Sequence, residues 1–415
     1  MEKYVLKDLI SVKRGMSLSG EYYSTEGDLI RLTLGNFQEE GGFKINTSKD
    51  DLYFTGPVKD EFILAEGDII TPLTEQVVGL LGATARIPES GKYIQSGDVA
   101  LIKCISDKID DGYCYYLISS DVVRKQLSAA AQQTKIRHTS PEKIMDCEVF
   151  IPEVKEQRKV AKLLDGINKK IELNNKINDN LAQYASMIYD YWFTQFDFPD
   201  NKGKPYKSSG GAMIFSPILG KDIPDGWSVI PLGNIAKMST ESISPQAGII
   251  YKHYSIPAFD DSKLPIIEDG AEIDSSKYLV PSNAILVSKL NPQFKRIWLV
   301  TAADNKSICS TEFLPFCNNG VPVEYLYGVL NSAAYHKYMI QCSSSSTGSR
   351  KRMPPELCLT YNVILPPENI MDLFSNKLRA VLKHMSETLY ENETLRATRT
   401  HLLPLLMSGQ ATIAD

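Results

Sequence analysis

Long apolar runs are missing from this 415-residue chain. Nothing approaches the roughly eighteen consecutive apolar residues of a membrane-crossing helix, so no transmembrane segment and no membrane partner are expected. Met1-Glu2-Lys3-Tyr4 brings charge in before any apolar stretch can build, against a secretory signal. Paired cysteines are missing too. Cys104, Cys114, Cys147, Cys309, Cys317, Cys342 and Cys358 are odd in number and contain no Cys-x-x-Cys, which predicts reduced thiols in a cytoplasmic protein, with neither disulfides nor zinc. The five histidines (His138, His253, His336, His384, His401) show no metal-ligand spacing. A basic excess is also lacking. A net charge of −5 argues against a protein that coats nucleic acid non-specifically, since that binding works by neutralising phosphates. It leaves room for a reader with basic patches on one face.

What is present is a repeat. Leu6-Lys7-Asp8-Leu9-Ile10 returns as Leu232-Gly233-Asn234-Ile235-Ala236, and Glu66-Gly67-Asp68-Ile69-Ile70 as Pro281-Ser282-Asn283-Ala284-Ile285. Ser140-Pro141-Glu142 with Val149-Phe150-Ile151-Pro152 returns as Pro354-Pro355-Glu356 with Val363-Ile364-Leu365-Pro366. The offset between the copies shrinks along the alignment, so the second copy has the shorter front end. Two homologous units, each followed by a long helical segment, can hold two similar binding surfaces at a set separation.

Each unit reads as α+β. Asp68–Thr71 and Val99–Cys104 are strand-like, one helix is predicted near Tyr115–Ala131, and Gly20-Glu21, Glu26-Gly27 and Gly41-Gly42 punctuate the loops. After Val154 the period changes. Val160, Leu164, Ile167 and Ile171 follow the spacing of a coiled-coil seam, continued by Asn174, Asn178, Leu181, Ala185 and Ile188. Phe374, Leu378, Val381, Met385, Thr388, Asn392, Leu395, Arg399 and Leu402 repeat the register position for position in the second copy, with Asn392 on Asn178. About 40 residues at 1.5 Å each make a helix of roughly 60 Å. Stripes of that length with no intervening cap predict that the two helices pair, and a polar residue on the seam fixes the alignment in which they meet. Five segments are expected: 1–152 and 226–366 as globular domains, 153–196 and 367–410 as long helices, and 197–225, rich in proline and glycine, as a linker.

Certain local pieces are specific. They are Tyr191-Trp192-Phe193 with Phe196-Asp197-Phe198-Pro199, Gly203-Lys204-Pro205-Tyr206, and Ser208-Ser209-Gly210-Gly211. Ile223-Pro224-Asp225-Gly226-Trp227 and Leu405-Leu406-Met407-Ser408-Gly409 complete them. With the tandem repeat, the whole chain resembles the specificity subunit of a Type I restriction–modification system. The resemblance implies two target-recognition domains, each reading half of a bipartite double-stranded DNA sequence, and an antiparallel helical spacer. It further implies two modification subunits that methylate one adenine per half-site, and restriction subunits that cleave unmodified DNA. This chain would bind no cofactor. S-adenosylmethionine would sit on the modification subunits, and ATP and magnesium on the restriction subunits.

The residues agree that the chain is not a catalyst by itself. Gly79-Leu80-Leu81-Gly82 lacks the third glycine and the strand–helix setting of a cofactor loop. Asn291-Pro292-Gln293-Phe294 is one residue off the base-holding motif of adenine methyltransferases, and the first copy has nothing similar. Pro199-Asp200 could open a nuclease motif but falls in the linker, and no P-loop or Ser–His–Asp pattern is present. Two competing readings are a single-chain methyltransferase or restriction enzyme, and a coiled-coil scaffold that does not touch DNA.

Contacts to DNA are expected from two pairs of matched loops. Lys135, Arg137, His138 and Thr139 occupy the repeat position of Arg350, Lys351 and Arg352, both after runs of small polar residues, and can reach phosphates or guanine O6 and N7. Thr74 and Gln76 match Lys289, Asn291 and Lys295, where the two amides suit adenine N6 and N7. These loops diverge between the copies, so the half-sites should differ.

Overall fold

The computed structural model describes all residues except 39–40, 47–48, 76–78, 131–136, 345–349 and 415. It divides into two compact units, Met1–Lys170 with Leu395–Asp415, and Ile171–Thr394. The division cuts through both long helices, so each unit contains one domain and portions of both helices.

In the first unit a four-stranded antiparallel sheet runs Ile10–Arg14, Val99–Cys104, Ile69–Pro72, Ala85–Arg86. In the second, Ala236–Met238, Phe313–Asn318, Ile285–Ser288 and Ile297–Leu299 repeat that order and sense. Glu2–Val5 pairs with Glu148–Ile151, and Ser228–Pro231 with Asn362–Leu365, which ties the start of each domain to the strand before its long helix. Divergence lies in the remaining sheet. It has four short strands in the first domain and five in the second, and each contains one parallel pair, Ile30–Arg31 with Tyr93–Ile94 and Ile250–Tyr254 with Ser307–Cys309. The fold is therefore α+β, built twice.

The helix expected at Tyr115–Ala131 is two, Asp111–Ile118 and Asp121–Ala130. Ser119 and Ser120 cause the break. Their hydroxyls donate to the carbonyls of Tyr115, Tyr116 and Leu117, competing with the helical ladder.

The long helices span Val154–Tyr189 and Glu368–Met407. In the second unit Asn174 meets Asn392 and Asn178 meets Thr388, so the helices run antiparallel there. In the first unit Arg399 donates to Asn168 at 2.9 Å in the same sense. The seam residues Val160, Leu164, Ile167, Asn178, Phe374, Leu378 and Asn392 are buried, and Ile171, Leu181, Val381, Met385 and Leu395 half-buried.

Each domain holds the start of the helix that follows it and the end of the other helix. Val160, Leu164, Leu406 and Met407 share the core of the first domain with Leu6, Leu9 and Tyr113. Trp192, Phe193, Phe374 and Leu378 share that of the second with Leu232, Trp227 and Tyr325. Trp192 and Phe193 are the repeat counterparts of Leu406 and Met407, so equivalent positions perform equivalent docking. Polar ties reinforce both junctions. Asp165 accepts from Arg86 at 2.8 Å and from the Tyr116 hydroxyl at 2.6 Å, and Arg379, its repeat counterpart, donates to Glu324 at 2.6 Å with the charges exchanged.

The 197–225 segment, expected as a linker without elements of its own, is ordered. Tyr206 stacks on Phe198 at 4.6 Å, Phe198 stacks on Trp227 at 4.8 Å, and Met213–Ser216 forms a hairpin with Lys221–Pro224. Aromatic burial outweighs the flexibility of its glycines. All seven cysteines are unpaired thiols, and burial pushes those of Cys147 and Cys358 up to about 11.

Candidate nucleic-acid interface

The two loop pairs singled out from the sequence are neighbours in space. In the first domain Thr74–Glu75 pairs antiparallel with Arg137–His138, and Glu75 stands opposite Arg137. In the second, Leu290 bridges Arg352. Leu290 follows Glu75 along the chain by the same interval as Arg352 follows Arg137, so the repeat carries the contact as well as the strands.

In the first domain a buried carboxylate organises the pair. Glu75 Oε2 accepts the backbone N–H groups of Gly79, Leu80 and Leu81 at 2.9, 2.8 and 3.0 Å, and Oε1 faces Arg137 Nη1 at 3.4 Å. Arg137 also meets the Ser128 hydroxyl at 3.3 Å, so its guanidinium is committed to holding the loops. Thr74 and Thr139 are buried, and the Thr139 N–H donates to the Leu73 carbonyl. His138 is exposed beside them. Lys135 and Gln76 lie outside the described residues.

The second domain does the same work with different groups. Asn291 sits in the left-handed region at φ 47°, a conformation asparagine tolerates better than most residues. Its N–H donates to the Lys351 carbonyl at 2.7 Å, and its Oδ1 accepts the Lys351 N–H at 3.0 Å. The Asn291 amide oxygen is thus used on backbone. Arg352 forms a fork with both oxygens of Glu312, its shortest contact 2.7 Å. Lys289, half-buried, is held through its backbone to Glu312 and Met353. Lys295 donates its ammonium to the Asn331 carbonyl at 2.5 Å, and desolvation of that ammonium lowers its pKa although the residue as a whole is exposed. Arg350 and Lys351 are exposed.

The structure therefore sorts the expected contacts. His138, Arg350 and Lys351 present cationic or titratable side chains to solvent, while Arg137, Arg352, Asn291, Thr74 and Thr139 build the platform. Sequence reasoning missed Glu75 and Glu312. Each meets its arginine across a gap, of 62 residues and of 40, that no local spacing reveals. The one available signal was a glutamate inside or beside a strand-like run. Among the described residues no group of three or more His, Cys, Asp or Glu side chains could hold a metal, and no helix is long and apolar enough to cross a membrane.

Two homologous α+β domains with matched loop pairs, each docked on portions of two long antiparallel helices, define a tandem-repeat protein with two equivalent heads. Residues 1–183 match the model of the Type I restriction modification DNA specificity domain. The chain is 22% identical over 324 residues to the Type I restriction enzyme MjaIX specificity subunit of Methanocaldococcus jannaschii, covering 74% of this chain and 71% of that one. It is 20% identical over 327 residues to the HindI specificity subunit of Haemophilus influenzae, covering 63% and 68%. The crystal structure of a Type I system S subunit from M. genitalium has the same fold, with a TM-score of 0.56 at 14% identity over 98% of this chain and 96% of that one. In sequence the chain is thus similar to Type I restriction–modification specificity subunits, and in fold to an S subunit of such a system.

Proposed function

We propose that this chain reads a bipartite DNA sequence for a Type I restriction–modification complex, one half-site per domain, and carries no catalytic step itself. The observation that carries the reading is the recurrence of one loop pair in both domains, Glu75 opposite Arg137 and Leu290 opposite Arg352, with the exposed His138 beside the first and the exposed Arg350 and Lys351 beside the second. The loops differ in chemistry, so the half-sites differ in sequence. The helices set the unread gap between them: 36 residues of the first, at about 1.5 Å each, make a ruler of roughly 54 Å. Two modification subunits dock on this scaffold and supply S-adenosylmethionine for methylation of one adenine per half-site. Restriction subunits join with ATP and magnesium for cleavage, and the assembly works in the cytoplasm.

A genome-wide adenine-methylation map with the gene present and deleted tests the proposal. A two-part motif with a fixed gap that vanishes on deletion is the expected result. Methylation that persists unchanged, or methylation by the purified chain with S-adenosylmethionine alone, contradicts it.

A further inference from the structure

The loop after Ile285–Ser288 contains the sequence that falls one residue short of a methyltransferase motif, and its geometry gives it another use. Every residue around its tip is tied down. Asn291 is fixed to the Lys351 backbone through both its N–H and its side chain. Pro292 is buried, and its carbonyl accepts from His336 Nε2 at 2.7 Å. Lys295 is held by the Asn331 carbonyl, and Arg296 forks onto Asp260 with Nε–Oδ1 at 2.7 Å and Nη2–Oδ2 at 2.8 Å. The turn is closed by the Phe294 N–H donating to the Asn291 carbonyl at 2.9 Å. Between these anchors, Gln293 and Phe294 are exposed. Phe294 keeps 57% of its surface in water, and the Gln293 amide has no hydrogen-bond partner among the described residues. A phenylalanine so exposed on a turn this constrained contributes little to folding beyond its contact with the Arg296 guanidinium. The constraint does lower the entropy that its side chain and its neighbour would lose on meeting a ligand.

The ligand follows from the neighbours and rests on the function proposed above. Leu290 bridges Arg352, and Lys351 shares two hydrogen bonds with Asn291, so the tip lies in the same loop pair as the exposed cations Arg350 and Lys351. A glutamine amide sets an N–H donor beside a carbonyl acceptor, the complement of adenine N7 and N6 in the major groove, and an aromatic ring packs on the thymine methyl. Insertion of the ring between base pairs is disfavoured. That use needs both faces, and the Arg296 guanidinium, itself locked to Asp260, stands over one of them, 5.4 Å from the centroid. We infer that Gln293 and Phe294 are the base-reading tip of the second domain, specifying A·T pairs in its half-site, with Arg350 and Lys351 supplying phosphate contacts.

The test compares wild type, Gln293→Ala and Phe294→Ala, each assembled with its modification subunits, by methylation mapping and by competition binding against duplexes carrying single base-pair changes. Both side chains are exposed, so neither change should shift thermal unfolding. Gln293→Ala is expected to relax discrimination at one A·T position of one half-site by about 10- to 100-fold and to leave the other half-site untouched. Phe294→Ala should weaken preference at the same or the adjacent pair. An unchanged motif, or a uniform loss of affinity across all duplexes with discrimination intact, overturns the inference. If wild type itself yields no bipartite motif, it is the proposed function that has failed.

Discussion

Asn174 donates its side-chain N–H to Asn392 Oδ1 at 2.9 Å inside the buried helix pair, and Asn392 in turn donates to Asn175 Oδ1 at 2.9 Å. One turn along, Thr388 donates to Asn178 Oδ1 at 2.6 Å. Under the repeat these contacts exchange, Asn174 with Thr388 and Asn178 with Asn392. The polar layer thus has an internal two-fold symmetry, which only an antiparallel pair in this register can satisfy.

The two halves of that layer should differ in cost. Asn392→Leu removes two side-chain bonds and leaves the buried Asn174 amide with Glu391 alone, an expected loss of about 1–3 kcal/mol. Asn178→Leu should cost far less. Its Nδ2 is already buried without a partner, and Thr388 keeps the His384 and Met385 carbonyls as acceptors. Denaturant unfolding of the two variants checks this, and equal losses would show that the layer does not discriminate.

The helix ends should be anchors of unequal strength. Phe193 is 3% exposed and lies 4.9 Å from Phe374 and 5.3 Å from Tyr325, so Phe193→Ala should cost about 3–5 kcal/mol. Met407 sits at the equivalent place in the first domain, and Met407→Ala should cost about 2–5 kcal/mol. Hydrogen exchange should show the first substitution loosening the second domain and the other loosening the first. Uniform loosening of both by either change contradicts the docking described here.

The carboxylate anchors differ in burial, and this decides their worth. The Glu75 side chain is 2% exposed and satisfies three N–H groups and Arg137, so Glu75→Ala should cost about 3–5 kcal/mol and abolish discrimination at one half-site only. The Glu312 side chain is 25% exposed and Arg352 44%. Glu312→Gln should cost no more than about 1 kcal/mol. Melting curves with methylation maps separate the two cases.

Most of the large-scale plan was legible because it is periodic or repeated. The seam from Val160 to Leu181 and from Phe374 to Leu395 follows from apolar spacing, and the two domains follow from self-similarity. The division of labour within the loops was not legible. Whether Arg137 or Arg352 faces DNA or a carboxylate depends on Glu75 and Glu312, which arrive through tertiary contact. The order in 197–225 was hidden for a related reason. Its glycines and prolines read as freedom, while Phe198, Tyr206 and Trp227 stack only once the chain has folded back.

Acid should destabilise the second domain through His253. Desolvation lowers its pKa despite the Glu268 carboxylate 2.5 Å from Nδ1, and its Nε2 is buried without a partner. With the folded pKa below the unfolded one, the unfolded chain takes up the proton first as pH falls, so stability present at neutral pH declines below about 6.5. Unfolding of wild type and His253→Asn between pH 7.5 and 5.5 should show a shallower decline in the variant. Parallel curves would remove His253 as the cause.

In the function proposed above, two heads read separate half-sites while the helices measure the gap. Matched insertions of four residues, after Ile171 and after Thr394, lengthen the paired helices together and turn each seam by roughly 40°, which local unwinding of the coil absorbs. Four residues add about 6 Å of helix, one or two base pairs at about 3.4 Å each. Methylation mapping of that variant should return the same two half-sites with a longer gap. A changed half-site with an unchanged gap would contradict the claim.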